Sequence, residues 1–259
     1  MAAASFHARS NSLPTRSHPL VSEIDEQVCR LRQSQAASTS SSSIGHNLNG
    51  LQFQLPTTQQ AVINDQKCFN ELLDGSLSLL DLCNTAKDVL SQMKESVAEL
   101  QSAIRRRQGG LEGETRRYLK SRKTVIKAIQ KVLRGMDSKK STSSNNVETV
   151  SMLKEAESVV ALVLECLLTF ISQSSSKPSS WSLFKRVAAV AAKLKRVSPV
   201  NENEFADVDA SLKMNKSTEE VQVHLKSLQP RIQDLLEGVE SLFRRLIKTR
   251  ASILNIHNL

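Results

Sequence analysis

The chain has 259 residues, of which 39% are apolar, 3% aromatic and only 8 glycine; a β-sandwich or a doubly wound α/β enzyme needs more aromatic, β-branched and glycine residues than this. Leu, Ala, Glu, Lys, Gln and Arg lose little side-chain freedom in a helix, so the composition points to an all-α fold. The formal charge of +9 is local: 13 basic and 3 acidic residues fall between Arg105 and Lys140, against 22 basic and 23 acidic elsewhere, so a near-neutral protein carries one basic segment.

Residues 1–20 lack acidic side chains and any helical period, and read as a disordered arm. Within it, Arg9, Ser10, Asn11, Ser12, Leu13 and Pro14 spell R-S-x-S-x-P, similar to the phosphoserine motif gripped by adaptors of the 14-3-3 type. A phosphate on Ser12 would add nearly two negative charges for an arginine cluster; the plain alternative is a chance match in a serine-rich tail. The arm also has the Arg/Ser-rich, acid-free composition of an organelle transit peptide. Val21, Ile24, Val28 and Leu31 then predict a short amphipathic helix over 22–37. The serine run at 38–43 is expected to end it as a flexible linker. Residues 21–56 thus form a short helix and Ser-rich linker, ahead of a helical bundle domain at 57–259.

A long helix is expected from Thr57 or Thr58, which follow Pro56, to Gly109 and Gly110. Its seam is Phe69, Leu72, Ser76, Leu79, Cys83, Ala86, Leu90, Met93, Val97, Leu100 and Ile104, spaced alternately by three and four, so one face stays turned to a partner helix. At ~1.5 Å per residue the helix would run roughly 75 Å, with a bend expected at Gly75. A third helix is predicted over 114–136, with Tyr118, Val125, Ile129, Val132 and Met136 as its apolar stripe. A polar linker at 138–146 precedes a fourth helix over 147–171, which becomes apolar nearly all round and is expected at the bundle's centre. Its most apolar stretch, Val159 to Ile171, contains Glu165 and is shorter than the roughly 20 apolar residues that span a bilayer.

Residues 174–180 read as another linker and 181–197 as a short basic helix, followed by an acidic stretch with Glu202, Glu204, Asp207 and Asp209. Ser217 and Glu220 form a capping box for the last helix. Its seam is Val221, Leu225, Leu228, Ile232, Leu235, Val239, Leu242, Leu246, Thr249, Ile253 and Ile256, and Pro230 must kink it or start its second half. Two seams of equal length imply that the second and last helices lie side by side. With the third and fourth they make an elongated four-helix-type bundle of long antiparallel helices.

No nucleotide-binding glycine motif, nucleophile elbow or H-E-x-x-H pattern occurs, and the histidines are scattered. The four cysteines form no C-x-x-C pair and have no histidine at ligand spacing, so they read as thiols of a reducing compartment. No catalytic residue, cofactor or metal is expected. Glu165 is either a buried carboxyl with a raised pKa or, more commonly, an edge residue with a basic partner. With no secretory hydrophobic region after the first residue, the expected location is cytoplasmic, with peripheral contact to a membrane as the alternative. The candidate interaction face is Arg105, Arg106, Arg107, Arg116, Arg117, Lys120, Lys123, Lys127, Lys131 and Arg134. It has three readings. It is a solvated helix surface; or it binds anionic lipid headgroups, with Trp181, Leu183 and Phe184 as an interfacial anchor; or it binds nucleic acid. The last is weakest, because the segment holds one aromatic residue, Tyr118, and no known nucleic-acid motif.

Several segments, in order along nearly the whole chain, resemble a plant-specific group, the BYPASS-related family. They include FHARSNSLPTRSHP at the start, ELLDGSLSLLDLCNTAKD from Glu71, LQSAIRRRQGG from Leu100, YLKSRKTVIKAIQK, VSMLKEAESV, SKPSSWSLF and the terminal EGVESLFRRLIKTRASILNI. The chain departs from the pattern in a compressed LNGLQFQLP stretch, and in having Cys68 or Phe69 where relatives tend to carry tryptophan. The resemblance implies a role in root and shoot development, with relatives restraining a long-distance signal made in the root. It carries over no catalytic residues or cofactor. With the long seams and basic face, it implies a helical interaction or scaffold protein with protein partners; the alternative is a peripheral membrane protein binding anionic lipids in trafficking or signalling.

Overall fold

Rows of leucine repeating at three and four residues leave water only by facing another such row. A computed structural model, which describes residues 41–50, 66–106, 111–137, 148–173 and 203–257, pairs the two long rows with each other. Among the described residues there are six helices and no strand: α1 Ser41–Gly50, α2 Gln66–Arg106, α3 Glu112–Asp137, α4 Glu148–Ser172, α5 Glu204–Lys213 and α6 Thr218–His257. The fold is all-α, and the helices pack as a bundle. The arm, the helix over 22–37, the caps at Thr57 and Thr58, the linkers at 138–146 and 174–180 and the helix over 181–197 lie outside the described residues.

Every seam position of α2 from Phe69 to Ile104 is buried, and so are those of α6 from Val221 to Leu246, with Ile253. Thr249 is half-buried, and the Ile256 side chain lies outside the described residues. Cross-contacts fix the direction. Arg250 Nη1 donates to Ser76 Oγ at 2.8 Å, the Lys87 ammonium lies 6.0 Å from the Phe243 ring centre, and Lys94 Nζ donates to Gln233 Oε1 at 2.8 Å. As numbers rise along α2 they fall along α6, so the pair is antiparallel. The polar interruption at Ser76 is satisfied on both sides, because its hydroxyl also donates to the Leu73 carbonyl at 2.8 Å. Pro230 lies on the exposed face of α6, which continues through it although proline has no amide hydrogen to give the Lys226 carbonyl.

The hairpin partner of α2 is α3, where the Ser96 and Ser121 hydroxyls meet at 2.8 Å. α4 runs beside the start of α2: Lys154 pairs with Glu71 at 2.6 Å, and the Glu157 side chain lies over Gly75, where a Cβ would overlap its carboxylate. Gly75 is therefore a point of close approach. The sequence places α4 at the centre of the bundle, but the structure gives that position to α2, which packs on α3, α4 and α6. Ala161, Leu162, Glu165, Cys166 and Thr169 of α4 are only half-buried.

Two short helices fill the interval between α4 and α6, in stretches where the sequence predicts none. α1 corrects the 38–43 serine linker from Ser41 onward. Its Ile44 and Leu48 join the core, and Leu48 Cβ approaches to 3.2 Å of where a Cβ on Gly238 of α6 would stand. Ser41 Oγ donates to Glu204 Oε1 at 2.8 Å, and Arg231 of α6 lies 3.5 Å from the same carboxylate. A helix of 10 residues is marginal by itself, so packing holds α1 in place. α5 corrects the acidic stretch. Asn203 caps it, its Oδ1 accepting from the amides of Phe205 and Ala206 at 3.0 and 3.2 Å. Phe205, Val208 and Leu212 are buried in the same core. At its far end Asn215 takes φ 49°, a left-handed residue that Asn tolerates. The Lys216 amide then reaches the Ser211 carbonyl at 3.1 Å. The chain turns there into α6, where Ser217 Oγ accepts from the Glu220 amide at 3.3 Å, the serine side of the expected capping box.

Candidate interaction face

α3 has one buried row and one exposed row. Tyr118, Arg122, Val125, Ile129 and Leu133 are buried. The expected stripe shifts slightly: Leu133 is in the core, and Val132 and Met136 are half-buried beside it. At 100° per residue the opposite row is Arg116, Lys120, Lys123, Lys127, Lys131 and Arg134, all exposed, a straight file about 27 Å long. Among the described residues, no carboxylate lies within ion-pair range of Arg116, Lys120, Lys123, Lys127 or Lys131.

The other predicted residues separate from this file. Arg117 is turned aside and pairs with Glu114 at 3.1 Å, one helical turn away. Arg105 folds back on its own helix, Nε donating to the Gln101 carbonyl at 3.4 Å, so it serves the negative end of α2. Arg106 is exposed at that end, and Arg107 lies outside the described residues. Ser12 and the Trp181 segment lie outside them as well.

One basic residue of the segment escapes the sequence reading. Arg122 is 2% exposed and pairs with the equally buried Asp209 of α5, Nε donating to Oδ2 at 3.0 Å. Its Nη2 donates to the Gln173 carbonyl at 2.9 Å, and its guanidinium lies 5.2 Å from the Phe205 ring centre. Phe205 meets Phe170 of α4 edge-on at 6.0 Å, and Asn203 Nδ2 donates to the Phe170 carbonyl at 2.8 Å. α3, α4 and α5 are thereby tied at one polar node. Burial pushes the Asp209 carboxyl above its ordinary range, with the guanidinium beside it partly opposing, and burial pushes the Tyr118 phenol up. Tyr118 and Asp209 also interact with each other, and Arg122 Nη1 has no hydrogen-bond partner among the described residues. The sequence held the signal: the stripe jumps from Tyr118 to Val125, and a heptad needs a residue between them, at position 122.

Reactive chemistry is muted elsewhere. Burial pushes the Cys83 thiol up to about 12 and Cys166 up to about 11, the latter helped by Glu165, so neither is a thiolate at neutral pH. On α4, burial pushes the Glu157 carboxyl up to about 7 while Lys154 opposes the shift. His46 on α1 and His224 on α6 stand apart from any cluster. Among the described residues, no three His, Cys, Asp or Glu side chains group as metal ligands. A surface trough of about 370 Å³ runs along α6 between Glu237, Glu240, Ser241, Arg244, Arg245 and Lys248. Its described lining comes from a single helix face, where Arg244 already pairs with Glu240 at 2.9 Å.

A family model described as Protein BPS1 matches residues 46–256. The chain belongs to the BPS1 protein family. This bears out the resemblance to the BYPASS-related group, and the BPS1 match covers both seams, the α3 file and the Arg122 node, starting inside α1 and ending near the close of α6. The Ser12 motif falls outside it. No curated protein and no solved structure matches the chain. BPS1 membership points to a role in plant development, and no described helix is long and apolar enough to cross a membrane.

Proposed function

We propose that this BPS1-family chain is a non-enzymatic helical interaction protein of plant root and shoot development. It is a cytoplasmic scaffold whose bundle presents the outer face of α3 to an anionic partner. One observation carries the reading: Arg116, Lys120, Lys123, Lys127 and Lys131 stand in file, exposed and without an ion-pair partner among the described residues. A solvated face on a stable helix would ordinarily interleave acids with its bases, as i,i+4 pairs of opposite sign support the helix and like charges at that spacing oppose it. Keeping these lysines unpaired costs local stability, which an anionic partner would return. The raised pKa values of the Cys83 and Cys166 thiols and the structural role of Arg122 fit a protein that binds rather than reacts.

Proximity labelling in the plant tests this, with the intact protein and the Lys120→Gln/Lys123→Gln/Lys127→Gln variant as baits. The variant should fold normally and lose a defined set of neighbours. An unchanged set of neighbours would sink the reading.

A further inference from the structure

The α3 surface itself narrows the chemistry of its partner. We infer that this face docks on the headgroup layer of an anionic lipid bilayer, which deepens the interaction reading and rests on it.

Three observations favour a lipid surface. The file is long and straight, with cations at successive steps of four, three, four, four and three residues. A rod lying on a plane meets it along its whole length, about 27 Å here, so all the cations of the file reach such a surface together. Second, four of the six residues are lysines, compact point charges on flexible stems, suited to diffuse charge rather than to the bidentate grip that arginine gives a fixed carboxylate or phosphate.

Third, the face offers no apolar anchor. The exposed large hydrophobics among the described residues are Leu77, Met214, Val223, Ile247 and Leu254, and none is on α3. Protein interfaces concentrate aromatic and apolar residues at their centre and are depleted of lysine, so a protein partner would find only rim-type contacts here. Single-stranded nucleic acid binds through aromatic platforms, and the one aromatic of α3, Tyr118, is buried on the opposite side. A headgroup layer needs charge alone. Each Lys or Arg near such a surface strengthens partitioning about fivefold, with the effect fading beyond a Debye length.

The test is flotation of the full-length protein with vesicles of phosphatidylcholine alone, or with about one-third phosphatidylserine. Binding is expected only to the anionic vesicles, weakening as salt is raised. Lys120→Gln/Lys123→Gln/Lys127→Gln should lower partitioning about a hundredfold. A control with the same loss of charge elsewhere, Lys216→Gln/Lys226→Gln/Lys248→Gln, should keep most of it. Equal binding to both vesicle types, or equal loss in both variants, overturns the inference, as would tighter binding to a short DNA duplex or to polyglutamate at matched charge. If flotation fails while the α3 variant still loses its neighbours in the plant, the lipid assignment falls and the interaction reading stands. If the variant loses neither, both fall.

Discussion

At the scale of single residues, the same basic segment holds two kinds of cation. Lys123 and Arg122 are adjacent, yet one is exposed and the other sealed against Asp209, because position 122 falls on the buried row. An unpaired charge in that site is far more costly than the pair. Arg122→Met should therefore destabilise the protein by about 3–5 kcal/mol, and Asp209→Leu by a similar amount. The double variant should come back to within about 1–2 kcal/mol of the parent, since apolar replacement of a whole buried pair is often neutral. Urea unfolding of the four proteins reads this directly; additive losses would mean that the two side chains act independently. Glu157 gives a pH signature. Its folded pKa of about 7 lies above the ordinary value of 4.5, so its protonated form favours the fold. That stability is fully present below about pH 4.5 and is lost as pH rises through about 7. Glu157→Gln should lack the slope: its advantage over the parent should grow across that window to at most about 3 kcal/mol, then level off. A constant difference across the window would contradict the burial of this carboxyl over Gly75.

At the scale of elements, length decides what can be read. α2 and α6 repeat their apolar spacing through enough turns that no other face is tenable, and the structure buries the rows the sequence indicates. α1 has two core residues, Ile44 and Leu48, set among serines and asparagines of weak helix propensity, so its period is too short to separate from a linker. Its helicity is imposed by the slot between α4 and α6. α5 is legible once its start is recognised. Asn203 ahead of Glu204 is a start signal, and Phe205, Val208 and Leu212 keep helical spacing, although the density of acidic residues masks the pattern. The interaction face is legible as a composition and not as a surface. Which cations point outward depends on the phase of the apolar row, and Arg105 and Arg117 are held by Gln101 and Glu114, contacts that no charge count can show.

At the scale of the whole molecule, the decisive point is that both seams are spent within one chain. Sequence periodicity is silent on this, because a row that fits its neighbour in the same chain fits the same row in a second copy equally well. The antiparallel contacts of Ser76 with Arg250 and of Lys94 with Gln233 place the α2 row against the α6 row of the same chain, and α1 and α5 close the remaining gap around one continuous core. A fold that keeps its seams to itself gains nothing in stability from a second copy, whereas an obligate pair has a stability set by mass action. The thermal midpoint of the purified protein should therefore stay constant as its concentration is raised about a hundredfold. A midpoint that climbs with concentration would mean that the two rows are joined between chains, with the α2–α6 pairing exchanged as a domain swap, and that two α3 faces are presented by one assembly.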